Sequence, residues 1–293
     1  MKAAAFAYAR ATSVGDALEL LEAHGDGAKV LSGGQSLMPA MNLRLISPQF
    51  IVDIGEIAEL RGIAVTGDVV RIGALTRHAE LLRSSDIAAQ VPLLTEAIAH
   101  VAHPAIRNRG TIGGSLAHAD PASELPACMV ALNATIVIRS KAGERRVAAE
   151  DFFKGIYETV LSARELLVAV EIPAAGKNSV HFFHEFARRL GDYAIVGLAA
   201  QATVEGNGFA DLRLAFFALG ERPILAKAAG RLVKTAITPA ILSEAMAALD
   251  QELDPQDDQQ ASASMRRHLA KVLLRRCTAT LLVRPELNAG APA

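Results

Sequence analysis

Cysteine is almost missing from this chain. Cys128 and Cys277 are the only two, far apart and outside any C-x-x-C pair. A four-cysteine iron–sulfur cluster therefore cannot be assembled within it, and a structural disulfide is not expected. The 8 histidines show no H-E-x-x-H or comparable spacing, so no resident metal is expected either. Tryptophan is absent and aromatic residues make up only 4% of the sequence, against 51% hydrophobic residues. The core must be built mainly from Ala, Leu, Val and Ile. A formal net charge of −1 leaves none of the basic excess that nucleic-acid binding requires. Apolar runs break well before the ~18 residues of a membrane span. The opening MKAAAFAYAR holds too short an apolar run for a secretory signal, which points to a cytoplasmic protein.

What is present is an alternation of strand and helix signals over 293 residues, enough for two domains or three small units. A strand is predicted over 4–8. Ser13 caps the following helix, with Asp16 in capping-box position, and Gly25 stops it. Short strands follow over 29–31 and 50–54. A hairpin turns at Thr66-Gly67-Asp68, helices are predicted over 76–82, 92–101 and 125–132, and strands over 135–139 and 165–172. PAAGKN, at 173–178, is the strongest boundary signal. Beyond it, HFFHEFAR alternates like a strand with two different faces, Gly206-Asn207-Gly208 reads as a hairpin turn, and Thr238-Pro239 opens a helix. A last helix over 264–283 carries Arg266, Arg267, Lys271, Arg275 and Arg276, either as a solvated face or as a surface that steers a partner.

Two stretches lie apart from this pattern. SGGQS at 32–36 follows a short apolar strand, the position at which α/β folds bind cofactors. HPAIRNRGTIGGSLAHADPASELP at 103–126 is a long loop almost free of bulky apolar side chains. Glycine lets a backbone approach a ligand closely, and successive free N–H groups form a nest for a pyrophosphate. Taken singly, either loop is ordinary surface punctuation; together they read as two walls around one phosphate-bearing cofactor. Neither matches G-x-G-x-x-G nor a Walker A loop.

AKVLSGGQSLMP (28–39), RNRGTIGGSLAHADPASELPA (107–127) and RRLGDYAIVG (188–197) together resemble the FAD-binding medium subunit of the molybdenum hydroxylases, the group with aerobic carbon monoxide dehydrogenase and xanthine-dehydrogenase-like enzymes. The resemblance implies an α+β chain. Two α/β subdomains, about 1–60 and 61–177, would form a vanillyl-alcohol-oxidase/PCMH-type FAD-binding domain, followed over 178–293 by a C-terminal α+β domain of antiparallel sheet and helices. It also implies an electron-transfer oxidoreductase subunit that takes electrons from [2Fe–2S] clusters through FAD to an external acceptor. The partners would be a small [2Fe–2S] subunit and a large molybdopterin subunit, as a dimer of heterotrimers. No catalytic acid–base set is expected, since the chemistry is the flavin's. The alternatives are a free-standing FAD oxidase or dehydrogenase, for which no base is visible, and a cofactor-free scaffold.

Carried onto this sequence, the first wall is Lys29, Leu31, Ser32, Gly33, Gly34, Gln35, Ser36 and Leu37. Lys29 supports the adenosine end or is a solvated charge. Gln35 stands where distant relatives with this flavin fold carry a histidine bonded to the ring, so FAD is expected to bind noncovalently. The second wall is Thr111, Gly113, Gly114 and Ser115, with Asp120, Ser123 and Glu124 reaching hydroxyls of the cofactor. The family often has Asp where Glu124 stands, and Ser123 reads equally as a helix cap. Arg107 and Arg109 either neutralise phosphate or form surface salt bridges. Leu167 would pack on the cofactor or serve as core. Asp192 and Tyr193 would lie at the ring, Tyr193 otherwise being a half-buried core residue. The substrate of the complex is chosen in another chain.

Overall fold

The computed structural model describes residues 2–288, with side chains as far as Val283 in the last helix. The first unit runs β1 (Ala7–Arg10), α1 (Val14–His24), β2 (Ala28–Leu31), α2 (Leu37–Asn42) and β3 (Phe50–Asp53), its strands parallel in the order β1-β3-β2. The Asp16 N–H donates to Ser13 Oγ and the Thr12 N–H to Asp16 Oδ2, closing the start of α1, while Gly25 at φ +49 ends it. β1 begins at Ala7, not at residue 4 as hydrophobicity predicts, because pairing with Phe50–Asp53 sets its register.

The second unit opens with the hairpin β4 (Ile63–Thr66) and β5 (Val69–Gly73). Helices α3 (His78–Arg83), α4 (Ser85–Gln90), α5 (Pro92–His100), α6 (Pro104–Arg107), α7 (Ile112–His118) and α8 (Glu124–Ala131) follow. Then come β6 (Thr135–Ser140), β7 (Gly143–Ala148), α9 (Ala149–Phe152), β8 (Phe153–Gly155), β9 (Glu158–Thr159) and β10 (Leu166–Pro173). β10 lies in the centre of a five-stranded antiparallel sheet ordered β4-β5-β10-β6-β7. The stretch 103–126, predicted as one loop, is thus largely helical. Thr111 accepts from the Gly114 N–H at 3.1 Å and starts α7. A Cβ on Gly113 would stand 2.6 Å from Ala74 Cβ, so tertiary packing, which needs these small residues, outweighs their poor helix propensity.

The third unit is the antiparallel sheet β11 (Ser179–Phe186), β12 (Val196–Glu205), β13 (Gly208–Phe217) and β14 (Ile224–Leu225), with α10 (Pro239–Glu252) and α11 (Ala263–Asn288). The alternation in HFFHEF gives the sheet two buried faces. Phe183, Ala199, Ala215 and Phe217 join the core around α5 and α8, and Phe182, Leu198, Ala200 and Phe216 join the core under α10 and α11. Each such phenylalanine contributes roughly 1.5–3 kcal/mol by burial. All residues of α8 are buried, as expected of a helix apolar all round; it is the wedge between the two sheets.

The cations of α11 divide: Arg275 and Arg276 are exposed, while Arg266, Arg267 and Lys271 are drawn into contacts with the fold. Arg266 is buried and donates to the carbonyls of Ile195 and Ala218 and to Asp258. Arg267 reaches Asp250 and Asp254, Lys271 lies 3.1 Å from Asp250, and Arg276 sits 5.4 Å over the Phe186 ring. Among the described residues, no helix is long and apolar enough to cross a membrane.

Candidate functional site

The two glycine loops meet. A Cβ on Gly33 would stand 2.2 Å from the Arg109 carbonyl oxygen and 3.0 Å from Gly110 Cα, so the loops touch backbone to backbone. Beside this contact the Ser32 and Thr111 hydroxyls are 2.7 Å apart. Gly34 turns the first loop at φ +72, a conformation that favours glycine. Gln35 folds back to donate to the Gly33 carbonyl at 3.0 Å. Among the described residues, the N–H groups of Gly33, Gly34, Gln35, Ser36 and Leu37 meet no acceptor, which fits an anion nest. The second loop differs from expectation. Its N–H groups are taken, Gly113 by the Ala74 carbonyl, Gly114 by the Thr111 hydroxyl and Ser115 by the Thr111 carbonyl. It packs against the first loop and adds no second row of free donors.

From Thr111, α7 runs roughly 10 Å at 1.5 Å per residue to Ala119, which is left-handed at φ +51. Asp120 follows, buried, its Oδ1 accepting from the Ala122 N–H at 2.9 Å. The Ser123 hydroxyl caps nothing; it lies 3.3 Å from Ser115 Oγ across the turn. Tyr157 donates to Asp120 Oδ2 at 3.5 Å, its ring 4.8 Å from that of His118. Its backbone is held at φ +56, with its N–H on the Ala119 carbonyl. Tyr157 and His118 carry no sequence signal for this role, since only the fold brings 157 beside 118–120.

Tyr193 is 62% exposed, not the half-buried core residue its apolar neighbours suggest. Gly191 at φ +87 packs against the Ala102 carbonyl and so folds the second half of the chain onto the first. Asp120, Tyr157 and Tyr193 line a cleft of about 800 Å³ together with Leu219, Glu221, Arg222 and Asp254. A nest at one end of α7 and an aromatic cleft at the other fit a cofactor with a diphosphate and a flat ring.

The remaining expected residues lie around this axis. Lys29 and Asp192 are exposed, Leu31 is partly buried against Gly34, and Leu167 is buried core. Among the described residues Arg107 forms no salt bridge. It donates to the carbonyls of Ala99, Val101 and Ala102 and closes the end of α5.

Two buried groups carry opposite charge costs. Burial pushes the Glu124 carboxyl up to about 7, with Glu185 and His100 among its charged neighbours. Burial beneath the Gly110–Thr111 turn pushes His78 down to about 4, against a smaller opposing effect of the Thr111 backbone. Unfolded, Glu124 ionises near 4.5; folded, it holds its proton to about 7, so its contribution falls as pH rises between these values. His78 is the reverse: full stability above 6.5, lost as pH falls towards 4. Each slope is roughly 1.4 kcal/mol per pH unit, and the two offset one another. Relative to wild type, Glu124→Gln should therefore lose stability as pH falls from 6.5 to 4.5, and His78→Gln should gain it. Urea titrations across that range test this; pH profiles parallel to wild type would refute it.

Residues 4–175 match the family model described as the FAD binding domain in molybdopterin dehydrogenase, and residues 181–281 match the CO dehydrogenase flavoprotein C-terminal domain. The chain is 39% identical to the 6-hydroxypseudooxynicotine dehydrogenase complex subunit alpha of Paenarthrobacter nicotinovorans, over 97% of each. It is 35% identical to the carbon monoxide dehydrogenase medium chain of Hydrogenophaga pseudoflava, over 92% of this chain and 95% of the relative. A solved carbon monoxide dehydrogenase from that organism superposes with a TM-score of 0.95 at 35% identity, covering 97% of this chain and 99% of that one. The chain belongs to the FAD-binding medium subunits of the molybdenum hydroxylases, and is the FAD-carrying, electron-transferring subunit of such an oxidoreductase.

Proposed function

We propose that the first loop, Ser32 to Leu37 with Lys29 and Leu31 behind it, holds the FAD diphosphate, and that Thr111 to Ser115 buttress it. Asp120, Ser123 and Glu124 line the path towards the ring. Leu167 backs that path, and Asp192 and Tyr193 stand at its end. The observation that carries this reading is the clasp of Gly33 on Arg109 and Gly110, which leaves a row of free N–H groups at one end of α7 while Tyr193 stands exposed at the other. Bound there, FAD supplies the exchange between single electrons and electron pairs. The protein's part is to orient and shield. The nest fixes the anionic end, Asp120 is held by Ala122 and Tyr157, and Tyr193 limits access to the cleft. Gln35, folded onto its own loop, offers no nucleophile, so attachment is noncovalent.

In this reading the chain works in the cytoplasm with a small [2Fe–2S] subunit and a large molybdopterin subunit, as a dimer of heterotrimers. Two medium chains among its relatives are named as parts of carbon monoxide dehydrogenases, and no cysteine set for a cluster exists here. Native purification of the tagged chain should bring down iron and molybdenum with FAD, and acid denaturation should release all yellow colour to the supernatant. A metal-free flavoprotein that turns over a substrate alone would favour the free-standing oxidase instead.

A further inference from the structure

We propose that α5 and β11 form a latch across the seam between the FAD-binding half and the C-terminal domain, drawn tight when its histidines carry a proton, and that it holds the loop bearing Asp192 and Tyr193 in place. The latch lies outside the glycine loops and stands whether or not FAD occupies them. Two histidine–carboxylate pairs cross from helix to strand. His100 Nδ1 lies 3.4 Å from Glu185 Oε1, and His181 Nε2 lies 3.3 Å from Glu96 Oε1. Residues 96 and 100 are one turn apart on α5, and 181 and 185 share a face of β11. The two rungs therefore stand in register, with the acid on the helix in one and on the strand in the other. Phe183 stands between them on the strand, its ring 5.1 Å from that of His100.

Each rung is an ion pair only when its imidazole is protonated. The inner rung depends on that charge most. The Glu185 side chain is 3% exposed, and its Oε2 has no hydrogen-bond partner among the described residues. A carboxylate so placed is costly without a charged partner. The hydrogen bond to Glu185 raises His100 above its ordinary 6.5 against the effect of burial, and Glu124 and Glu96 add to the rise. Its contribution is therefore complete below 6.5 and is lost as pH climbs through the raised value. From α8, Glu124 and the buried Cys128 thiol face the same pair. From β12, Gln201 stands opposite His181. His184, next along β11, feels both His100 and Arg276 of α11. The seam bears on the Tyr193 loop at two points. β11 leads directly into 187–195, which the Ile195 N–H closes on the Phe186 carbonyl at 2.6 Å. α5 leads to Ala102, whose carbonyl oxygen would stand 2.9 Å from a Cβ on Gly191.

The test is native-state hydrogen exchange on the purified full chain between about pH 6 and about pH 8.5, corrected for the intrinsic pH dependence of exchange. In wild type, peptides covering 187–195 should lose protection about fivefold as pH rises over that range. In His100→Gln and in Glu185→Gln the same peptides should vary by no more than about twofold. Glu96→Gln removes a charge that acts on both histidines and leaves the inner pair in place, so about half of the slope should remain. Peptides from β6 and β10 serve as fold controls and should keep their protection throughout. Should either inner variant fail to fold, the slope of Glu96→Gln decides alone. Protection of 187–195 that is flat in the wild type, or a wild-type slope retained in the variants, would overturn the proposal.

Discussion

Gly33→Val is expected to cut the FAD content of the purified chain to about one tenth or less. The loops approach so closely that the new Cβ would stand 2.2 Å from the Arg109 carbonyl oxygen and 2.9 Å from its carbonyl carbon, well inside the ordinary ~3.5–4.0 Å contact range. Both neighbours are backbone, so no rotamer change relieves the clash. The loops must part, breaking the 2.7 Å Ser32–Thr111 contact and tilting the free N–H groups of 33–37 away from a common centre. Gly114→Val is expected to act in the same direction but less severely. Its Cβ would meet Thr111 Oγ1 at 2.9 Å and point towards Ser32 Oγ at 3.7 Å. Gly176 has nothing within 4 Å of its Cβ position, so Gly176→Val is the control that keeps FAD. Absorbance ratios on variants with wild-type far-UV circular dichroism decide the matter. Full flavin in Gly33→Val would mean that the diphosphate lies elsewhere.

The first loop was legible because its signal is local. A Gly-Gly turn directly after a short apolar strand places backbone donors at a strand's carboxyl end whatever the rest of the chain does. The second was legible as a partner but not in its conformation. TIGGSLAH has the composition of a loop, and only the close approach of Gly113 to Ala74 makes its small residues worth coiling into α7. The two-faced strand at HFFHEF was readable from its period of two, whereas the burial of both faces required α8 on one side and α11 on the other. Tyr157, His118 and His78 were beyond reach, because their environments come from segments distant in sequence. The inward turn of Arg266 was hidden for a related reason. A helical pattern tells which cations share a face, but not that the carbonyls of Ile195 and Ala218 stand opposite one of them.

That cation, Arg266, gives the second large expected effect. Its side chain is 7% exposed and ties three separate segments together. NH1 joins Ile195, just before β12, to Ala218, just after β13, at 2.5 and 2.8 Å, and NH2 holds Asp258 in the loop before α11 at 2.5 Å. Ala218 is itself left-handed at φ +59 and donates its N–H to the Pro121 carbonyl, one residue from Asp120. Arg266→Ala would leave two carbonyls without donors, about 1–3 kcal/mol each where buried, and Asp258 without its cation. Loss of a partner from such a buried network costs on the order of 3–5 kcal/mol, a drop in Tm on the order of 10 °C. Arg266→Lys retains charge but cannot serve three acceptors from a planar fork, so it should recover only part of that loss. Because Ala218 reaches Pro121, the Ala variant should also loosen the cleft wall, seen as weaker FAD retention on dilution. If Arg266→Ala melts within about 2 °C of wild type, the buried guanidinium is not the tie between α11 and the cleft.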